Sequence, residues 1–441
     1  MKYAEIIAKG KALGLTDLEI YLQTSNGMNM RLFEGTLDTY NEKSYFGIAI
    51  RGLFEDKMGF AYAETLDNID ELLEKVIQNA KNLNSSEKEI IYDGSGTYQS
   101  VKEEVADFQK YSNQDKIQML QKLEKSILDS DERIKKVSYC NYQENAVVTQ
   151  IINSKGVNLT RNLSYSTVFA GAVAEENGET AVGFSDDIGY EFENLELERI
   201  RKEVVEDATG TLGAGTIETG TYPVVFRRSV ATELLQAFSG LFSGEAAKRN
   251  LTLLKGKEGE KVFGDNITIY DDPFVENAIV KIPFDDEGVP CFTKTLVENG
   301  AFKMFLHNLA TADFFKTSST GNGFKNSVAS SVRVGPTNLY LKPGEKSFDD
   351  LIKSLDSGIY VTEINGLHSG ANPISGAFNV QGTGYYVKDG KIDRPITLFV
   401  ISGNFLEMLN EVELIANDLE KRFIGVASPA IKVRRLKISG K

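Results

Sequence analysis

Two residue types that dominate metal and redox chemistry are nearly missing from this sequence. Among 441 residues there are two histidines, His307 and His368, two cysteines, Cys140 and Cys291, and no tryptophan. Two cysteines are too few and too far apart for a disulfide framework or a CxxC metal site. The two histidines cannot form the pair of zinc ligands that lie one turn apart on a helix. Spacing alone therefore excludes a zinc protease site of the two-histidine helical type.

The sequence also lacks long apolar segments and an excess of positive charge. It contains no run of about 18 apolar residues, so we expect no transmembrane helix. The first residues, MKYAEIIAKGKALGL, have no continuous apolar segment of the signal-peptide kind, so we expect a cytoplasmic protein. The formal net charge of −14 repels the phosphates of nucleic acids and anionic membranes. We expect neither direct nucleic-acid binding nor a membrane partner.

What is present is the composition of a globular protein with more than one domain. Hydrophobic residues make up 41% and charged residues 25% of the chain, which is enough apolar material to fold without a metal or a disulfide. The length predicts two or three domains. The glycine-rich stretch that begins GTLGAGTIETG is a predicted linker. We therefore divide the chain into an N-terminal domain (1–209), a linker (210–221) and a C-terminal domain (222–441).

The N-terminal domain shows the same pattern twice. Residues 18–64 alternate between apolar and polar, with turn signals between the apolar segments, and residues 66–83 have helical spacing. The order then repeats: a helical segment (113–131), alternating strands (134–184) and a further helical segment (195–208). We predict a duplicated helix–antiparallel meander unit whose strands form one layer with helices on one face. The fold class expected is α+β.

The C-terminal domain is predicted to be strand-rich and mainly antiparallel, and to carry the cleft. LVENGAFKMFL (296–306) and YYVKDGKIDRPI (385–396) are strong hairpin signals because Asn-Gly and Asp-Gly favour the tight turns of hairpins. One long helix is predicted over 229–250, with Ser229 as its N-cap.

The acidic segment PFDDEGVP (283–290) is a first candidate site. Clustered carboxylates such as Asp285, Asp286 and Glu287 can bind a hard cation or raise one another's pKa for acid–base chemistry. The alternative is a tight acidic turn in which an aspartate accepts hydrogen bonds from the backbone.

Two glycine-rich loops supply further cleft candidates. TSSTGNGFKNS (317–327), with Asn322, offers backbone N–H groups that could hold an anion or a peptide carbonyl. EINGLHSGANPISGAFNVQG (363–382) carries His368, Asn372 and Ser375 in the kind of loop that often holds functional residues. The alternative role of His368 is structural, as a hydrogen-bonding partner of its own loop. For His307, in FKMFLHNLATADFF, a structural role is the favoured interpretation.

An ordered set of segments resembles the TldD/PmbA family, whose members are described as modulators of DNA gyrase. The segments are YPVVFRRSVATELLQAFSG, PFDDEGVP, VENG, STGNG, YLKPGE, GIYVTEINGLHSGANPISGAFNVQGTGYYVKDGKI and SGNFLEML. TldD-like chains resemble metalloproteases with an HExxxH helix and a distant cysteine as zinc ligands. Here Gln236, Ala237 and Leu241 stand at the first histidine, the glutamate and the second histidine, and 421–433 contains no cysteine. We assign no catalytic residue in this chain.

The resemblance therefore implies the PmbA/TldE branch, in which this chain holds no metal and zinc belongs to a TldD-like partner subunit. Such a pair trims or degrades unfolded peptides, and any effect on gyrase would be indirect. His368 would then be part of the wall of a cleft, and strand edges of this chain would pair with an extended peptide.

Two other interpretations stay open. The chain could be a homodimeric peptide-binding protein without catalysis, or a hydrolase that uses His368 and the carboxylates of 285–287. Hydrolysis by the isolated chain that survives a chelator but is lost in His368→Ala would favour the hydrolase. The absence of a TldD-like gene from the same genome would favour the homodimer.

Overall fold

A computed structural model describes residues 3–83, 89–102 and 104–441 of the chain. Its N-terminal part contains two copies of one arrangement: a helix, three antiparallel strands and a second helix. The first copy consists of α1 (Tyr3–Ala12), β1 (Leu18–Phe33), β2 (Thr36–Phe54), β3 (Lys57–Ala63) and α2 (Ile69–Asn82). The second consists of α3 (Asn113–Leu128), β4 (Ile134–Asn153), β5 (Asn158–Glu176), β6 (Glu179–Gly189), a 3₁₀ turn (Phe192–Asn194) and α4 (Leu197–Gly210). The predicted α+β duplication is confirmed.

The two meanders join into one curled antiparallel sheet. Its strand order is β3-β2-β1-β4-β5-β6, so the two copies meet where β1 pairs with β4. That pairing runs from Glu19 opposite Asn153 to Arg31 opposite Asn141. The strand β6 is left at one edge of the sheet.

One face of this sheet carries all four helices. Successive side chains of a strand point to opposite faces, and on β1 the residues Ile20, Leu22, Met28 and Met30 share one face. Ile20 and Leu22 pack in the same apolar cluster as side chains of α1 and α2. Met28 and Met30 pack with side chains of α3 and α4. The opposite face is therefore free to meet the C-terminal domain.

The part of the chain from Gly220 onward, called the C-terminal domain below, contains thirteen strands, most of them short. They are β7 (Gly220–Phe226), β8 (Ile269–Asp271), β9 (Lys294–Glu298), β10 (Ala301–Phe302), β11 (Gly323–Phe324), β12 (Arg333–Val334), β13 (Leu339–Leu341), β14 (Ser357–Asn365), β15 (Ala377–Lys388), β16 (Lys391–Asn404), β17 (Val412–Ile415), β18 (Val426–Ala427) and β19 (Ile431–Ser439). Its helices are α5 (Arg228–Phe238), a 3₁₀ turn (Ser239–Phe242), α6 (Gly244–Lys248), α7 (Leu309–Phe315), α8 (Phe348–Lys353), α9 (Leu367–Gly370) and α10 (Phe405–Asn410).

Five of these strands close into a small barrel. They follow one another as β16, β15, β14, β7 and β19, and β19 pairs back with β16. Val400 of β16 lies opposite Ser439 of β19 at this closing seam. A second, open sheet has the order β10-β9-β8-β13-β18. Both sheets contribute side chains to the largest apolar cluster of the molecule.

Both predicted hairpins are present. The turn between β9 and β10 places Asn299 at φ 48° and Gly300 at φ 83°, and the turn between β15 and β16 places Asp389 at φ 50° and Gly390 at φ 70°. Two consecutive residues with positive φ define the turn that Asn-Gly and Asp-Gly favour in hairpins. None of the helices in the described part of the chain is long and apolar enough to span a membrane.

The prediction of one helix over 229–250 was wrong. The helix α5 begins at Arg228 and ends at Phe238, a 3₁₀ turn follows, and Ser243 caps the separate helix α6 by accepting hydrogen bonds from backbone N–H groups. Ser229 lies inside α5, and the capping position is taken by Arg227 without a side-chain bond. Serine and glycine at 239–240 and 243–244 are weak helix formers, so they permit the break.

Candidate functional site

A cavity of about 960 Å³ lies between the two domains. From the N-terminal domain it is lined by the edge strand β6, by side chains of β4 and β5, and by α4. From the C-terminal domain it is lined by α5, the end of β14 and the segment 420–427. A concave site of this size at a domain boundary is the usual location of a ligand-binding site.

The helix α5 separates the cavity from the apolar core. Its residues Ser229, Thr232, Glu233 and Gln236 have the spacing of one helical face, and all four line the cavity. The opposite face is formed by apolar residues buried in the main cluster: Val230, Ala231, Leu234, Leu235 and Phe238. The helix is thus fixed by its apolar face and presents polar groups to the cavity.

Ion pairs across the domain boundary form the base of the cavity. Glu203 of α4 is central, because its carboxylate lies 2.9 Å from Nη1 of Arg199 and 3.2 Å from Nη2 of Arg228. Beside it, Nη1 of Arg227 lies 2.6 Å from Oδ2 of Asp207. Burial raises the pKa of Asp207, and the charge of Arg227 opposes that rise. These pairs connect α4 to the beginning of α5.

The same network continues to the segment 420–427. Arg228 also pairs with Glu420, and Nη2 of Arg422 lies 2.9 Å from Oδ2 of Asp187 in β6. These side chains are only partly shielded from solvent, and the pairs connect α4 and β6 on one wall of the cavity to Arg228 and the segment 420–427 on the other.

Two strand edges border the cavity. The strand β6 is an edge of the N-terminal sheet, and its residues 182–188 line the cavity. In the barrel, the pairing of β14 with β7 ends at Val361 opposite Phe226. The pairing of β14 with β15 continues to Asn365 opposite Gln381. Residues 362–365 are therefore paired on one side only among the described strands, and they too line the cavity.

The positions that correspond to HExxxH do not form a zinc site. Gln236 lines the cavity but offers only a neutral amide. Ala237 has no donor atom, and Leu241 is 1% exposed in the apolar core after α5 has ended. In the described part of the chain, no group of three or more His, Cys, Asp and Glu residues could hold a metal ion. The residues present do not suit zinc at this position.

The predicted candidates His368, Asn372 and Ser375 lie together on an exposed surface loop that follows β14. The Oδ1 atom of Asn372 accepts hydrogen bonds from the backbone N–H groups of Ile374 and Ser375, so Asn372 stabilises the loop itself. His368 is in the short helix α9, and its imidazole is hydrogen-bonded to none of the described residues. These three residues follow the cavity-lining residues 362–365 in the sequence, but they do not line the cavity themselves.

Asn322 is fully engaged in a buried network. Its Nδ2 group donates to Oδ2 of Asp271 and to the carbonyl of Gly335, both at 2.9 Å. Its Oδ1 atom accepts from Nζ of Lys294 at 2.9 Å and from the hydroxyl of Thr320 at 2.7 Å. Lys294 and Asp271 form an ion pair that is shielded completely from solvent. The side chain of Asn322 thus holds its glycine-rich loop in place and has no free polar atom for a ligand.

Asp285 forms the tight acidic turn that was one of the two interpretations of 283–290. Its Oδ1 atom accepts hydrogen bonds from the backbone N–H groups of Glu287 at 3.0 Å and Val289 at 2.9 Å. Its Oδ2 atom accepts one from Gly323 at 2.8 Å. Burial, together with the charge of Glu287, raises the pKa of Asp285 well above its usual value.

The other two carboxylates of this turn connect the domains. Asp286 pairs with Arg161 of β5 at 2.9 Å. Glu287 lies 3.4 Å from Nη1 of Arg51, whose Nε is 2.7 Å from Glu19. Burial raises the pKa of Glu287, and the charge of Arg51 opposes that rise. The acidic turn therefore packs against the open face of the N-terminal sheet, away from the cavity. The assignment of Asp285, Asp286 and His368 to a substrate cleft stays a prediction.

His307 has the structural surroundings that the sequence favoured. Its ring is buried, Nδ1 lies 3.2 Å from the hydroxyl of Thr311, and its centroid is 5.5 Å from that of Phe315. Burial lowers the pKa of His307 to about 4, so the ring is neutral.

Sequence reasoning missed most of the cavity lining, including Glu203, Arg228 and Glu233. A signal was present in α5, where polar residues recur at positions i, i+3, i+4 and i+7, and where the residues between them, after Arg228, are apolar. A polar stripe of this kind on a buried helix indicates a face turned toward a cavity or solvent.

Comparisons with known proteins agree with this architecture. The family descriptions PmbA/TldA metallopeptidase domain 1, central domain and C-terminal domain match residues 18–80, 106–212 and 219–440. The crystal structure of a Thermotoga maritima protein described as a candidate modulator of a DNA gyrase has 33% identity and a TM-score of 0.92, with 99% of each chain covered.

Two curated relatives represent the two names used in this family. A Haemophilus influenzae protein named metalloprotease TldD homolog is 25% identical over 451 residues, or 96% of this chain and 92% of the relative. Metalloprotease PmbA of Escherichia coli O157:H7 is 24% identical over 325 residues, or 74% of this chain and 69% of the relative. The chain belongs to the PmbA/TldD metallopeptidase family.

Proposed function

We propose that this chain is the PmbA/TldE-type subunit of a two-chain metalloprotease that trims or degrades unfolded peptides. The observation that carries the proposal is the helix α5. It presents a polar face to a large cavity, yet Gln236, Ala237 and buried Leu241 occupy the three positions of the metal motif. A TldD-like partner would supply the zinc and the base, and this chain would supply walls of the substrate site.

The strand edges support a peptide as the ligand. An extended peptide can add to an exposed strand edge through main-chain hydrogen bonds, which are independent of sequence. Both β6 and residues 362–365 of β14 offer such an edge at the cavity. Only an unfolded segment can adopt this extended form, so the arrangement favours unfolded peptides over folded proteins.

The first test is the metal content of the full chain purified alone without a chelator. We expect far less than one zinc ion per chain by elemental analysis, because the described residues offer no set of ligands. One zinc ion per chain, together with peptide cleavage that a chelator abolishes, would contradict the proposal.

The second test is assembly with a family member that carries HExxxH and comes from the same cells. We expect light scattering to show a mixed dimer, and peptide cleavage to require both chains and zinc. A stable homodimer that binds peptides and ignores the second chain would favour the peptide-binding alternative. Chelator-resistant hydrolysis by the isolated chain that is lost in His368→Ala would favour the hydrolase alternative.

A further inference from the structure

The N-terminal wall of the cavity carries a cluster of three aromatic rings. Phe169 and Phe184 stack with an interplanar angle of 11° and a centroid separation of 5.8 Å. Tyr139 meets Phe169 at 5.8 Å and Phe184 at 6.2 Å. Tyr139 and Phe184 are still 42% and 38% exposed. All three residues line the cavity, so their uncovered surface faces the space where a ligand would lie.

The backbone is shaped to hold this aromatic cluster. A Cβ atom at Gly171 of β5 would lie 2.4 Å from the ring of Phe184. Phe184 can lie flat across β5 only because residue 171 has no side chain. Aromatic surface exposed in a concave site, and not covered by neighbouring side chains, is the usual feature of a contact for an apolar ligand group.

The opposite wall carries carboxylates without counterions. Glu233 of α5 forms no hydrogen bond or ion pair with the described residues. Glu363 of β14 accepts one hydrogen bond, from the amide of Asn365 at 2.9 Å. Restricted solvation by the cavity walls, together with the charge of Glu363, raises the pKa of Glu233 to about 7. Both carboxylates line the same cavity, so a cationic group bound there would be attracted to both of them.

The arginines that line the cavity do not neutralise the negative charges of its carboxylates. Seven carboxylates and four guanidinium groups line it, a net charge of −3 with all groups ionised. Each of the four arginines is already paired with a carboxylate, and Glu203 alone serves Arg199, Arg227 and Arg228. An anionic ligand would therefore find no free positive group among the described lining residues.

We propose that the cavity selects extended peptide segments in which an aromatic or large apolar side chain is next to basic ones. The apolar side chain packs on Tyr139, Phe169 and Phe184, and the basic side chains face Glu233 and Glu363 across the cavity. The inference rests on the proposed function, since it specifies which unfolded peptides this subunit binds. The net negative charge of the cavity lining is the reason for proposing a cationic peptide. The exposed aromatic rings of the N-terminal wall are the reason for proposing an apolar anchor.

The test uses the full chain and three fluorescent, unstructured peptides of equal length. One alternates Phe and Lys, one alternates Phe and Glu, and one alternates Ser and Lys. Fluorescence anisotropy at low salt should give the tightest binding for the Phe/Lys peptide. We expect a loss of about tenfold or more for each of the other two, as for charge reversal or removal of an anchor at an interface.

Substitutions test whether the proposed residues cause the preference for the Phe/Lys peptide. Glu233→Gln combined with Glu363→Gln should weaken both lysine-containing peptides, and so reduce the advantage of Phe/Lys over Phe/Glu. Phe184→Ala should weaken both Phe peptides equally. The matched control is Glu218→Gln combined with Glu345→Gln, which removes two exposed carboxylates away from the cavity. Unfolding curves confirm that each variant is folded.

The outcomes separate the two proposals. Measurable binding of all three peptides with equal affinity would overturn this inference and leave the proposed peptide-binding function intact. An equal effect of the cavity variant and the control variant would also overturn it. No binding of any peptide, either by the chain alone or with its HExxxH-bearing partner, would contradict the proposed function itself.

Discussion

Nη2 of Arg161 lies 2.9 Å from Oδ1 of Asp286, and the two residues belong to different domains. Nη1 of Arg161 also donates to the carbonyl of Phe284, and Oδ2 of Asp286 accepts from the backbone N–H of Lys325. The pair is almost fully shielded from solvent. It links β5 of the N-terminal sheet to the acidic turn and to the glycine-rich loop of the C-terminal domain.

Asp286→Asn should destabilise the protein strongly. The substitution keeps the shape of the side chain but leaves the guanidinium of Arg161 buried without a counterion, which costs about 3–5 kcal/mol. Urea denaturation would measure the change in the free energy of unfolding. The control is Glu345→Gln, at an exposed site, which should change that free energy by less than about 0.5 kcal/mol. Equal stability of the two variants would show that the guanidinium of Arg161 does not need Asp286 as its counterion.

Gly183→Ala should loosen the contact between β6 and α4. A Cβ atom at this position would lie 2.3 Å from the backbone oxygen of Val204 and 2.5 Å from the nitrogen of Ala208, so the helix would have to move. Overpacking of this kind costs roughly 1–3 kcal/mol. Gly240→Ala is the matched control, because no atom lies within 4 Å of its added Cβ. Thermal unfolding would compare the two, and an unchanged melting temperature for Gly183→Ala would mean that α4 adjusts freely.

His307 should make the protein less stable in mild acid. Its pKa is about 4 in the folded chain, against an ordinary value of 6.5. Between these values the unfolded chain binds a proton that the folded chain does not, so stability falls as the pH drops from 6.5 toward 4. The expected loss is about 2 kcal/mol at pH 5.

The chain offers its own control for that prediction, since it contains one other histidine. His307→Gln should flatten the dependence of the unfolding free energy on pH in this window. His368→Gln, at an exposed position, should leave the dependence as it is in the unaltered protein. Identical pH profiles for the two variants would show that His307 is not the cause of the loss of stability in acid.

Restoring the motif residues should not restore a zinc site. Gln236→His alone places an imidazole in the open cavity and should leave stability nearly unchanged. The triple change with Ala237→Glu and Leu241→His puts a polar ring into the apolar core, at a cost of roughly 2–5 kcal/mol for the lost packing. Elemental analysis should find no stoichiometric zinc in either variant. One tightly bound zinc ion in the triple variant would show that the segment after α5 can turn toward the cavity.

Much of the fold was predictable because local signals agree with the tertiary structure. Apolar alternation along β1 and β5 marks the buried face, and Asn299-Gly300 fixes a hairpin by its backbone preference alone. The break after Phe238 was not predictable from helical spacing, since apolar residues continue on both sides of it. The segment after the break makes a close tertiary contact, in which the ring of His307 lies so near Gly244 that a Cβ there would be 2.4 Å from Nδ1.

The cavity was harder to predict than the fold. Its walls come from β6, α4, α5, β14 and the segment 420–427, which are far apart in the sequence. No local pattern shows that Glu203 meets Arg228, or that Glu363 and Glu233 line the same cavity. Glycine-rich loops drew attention to Asn322 and His368 instead. Loops of that composition are also needed where a buried network such as that of Lys294 and Asp271 requires close backbone approach, so composition alone does not identify a ligand site.

The closed barrel has a consequence for the order of events during synthesis. The strand β7 lies between β14 and β19 in space, although both emerge from the ribosome long after it. Until β19 arrives, β7 and β16 each have an unpaired edge, and contacts this distant in sequence form slowly. The N-terminal sheet is complete as soon as β6 and α4 have emerged. A nascent chain should therefore hold a finished first domain beside an open, association-prone second one, which is the stage at which cellular chaperones would be needed.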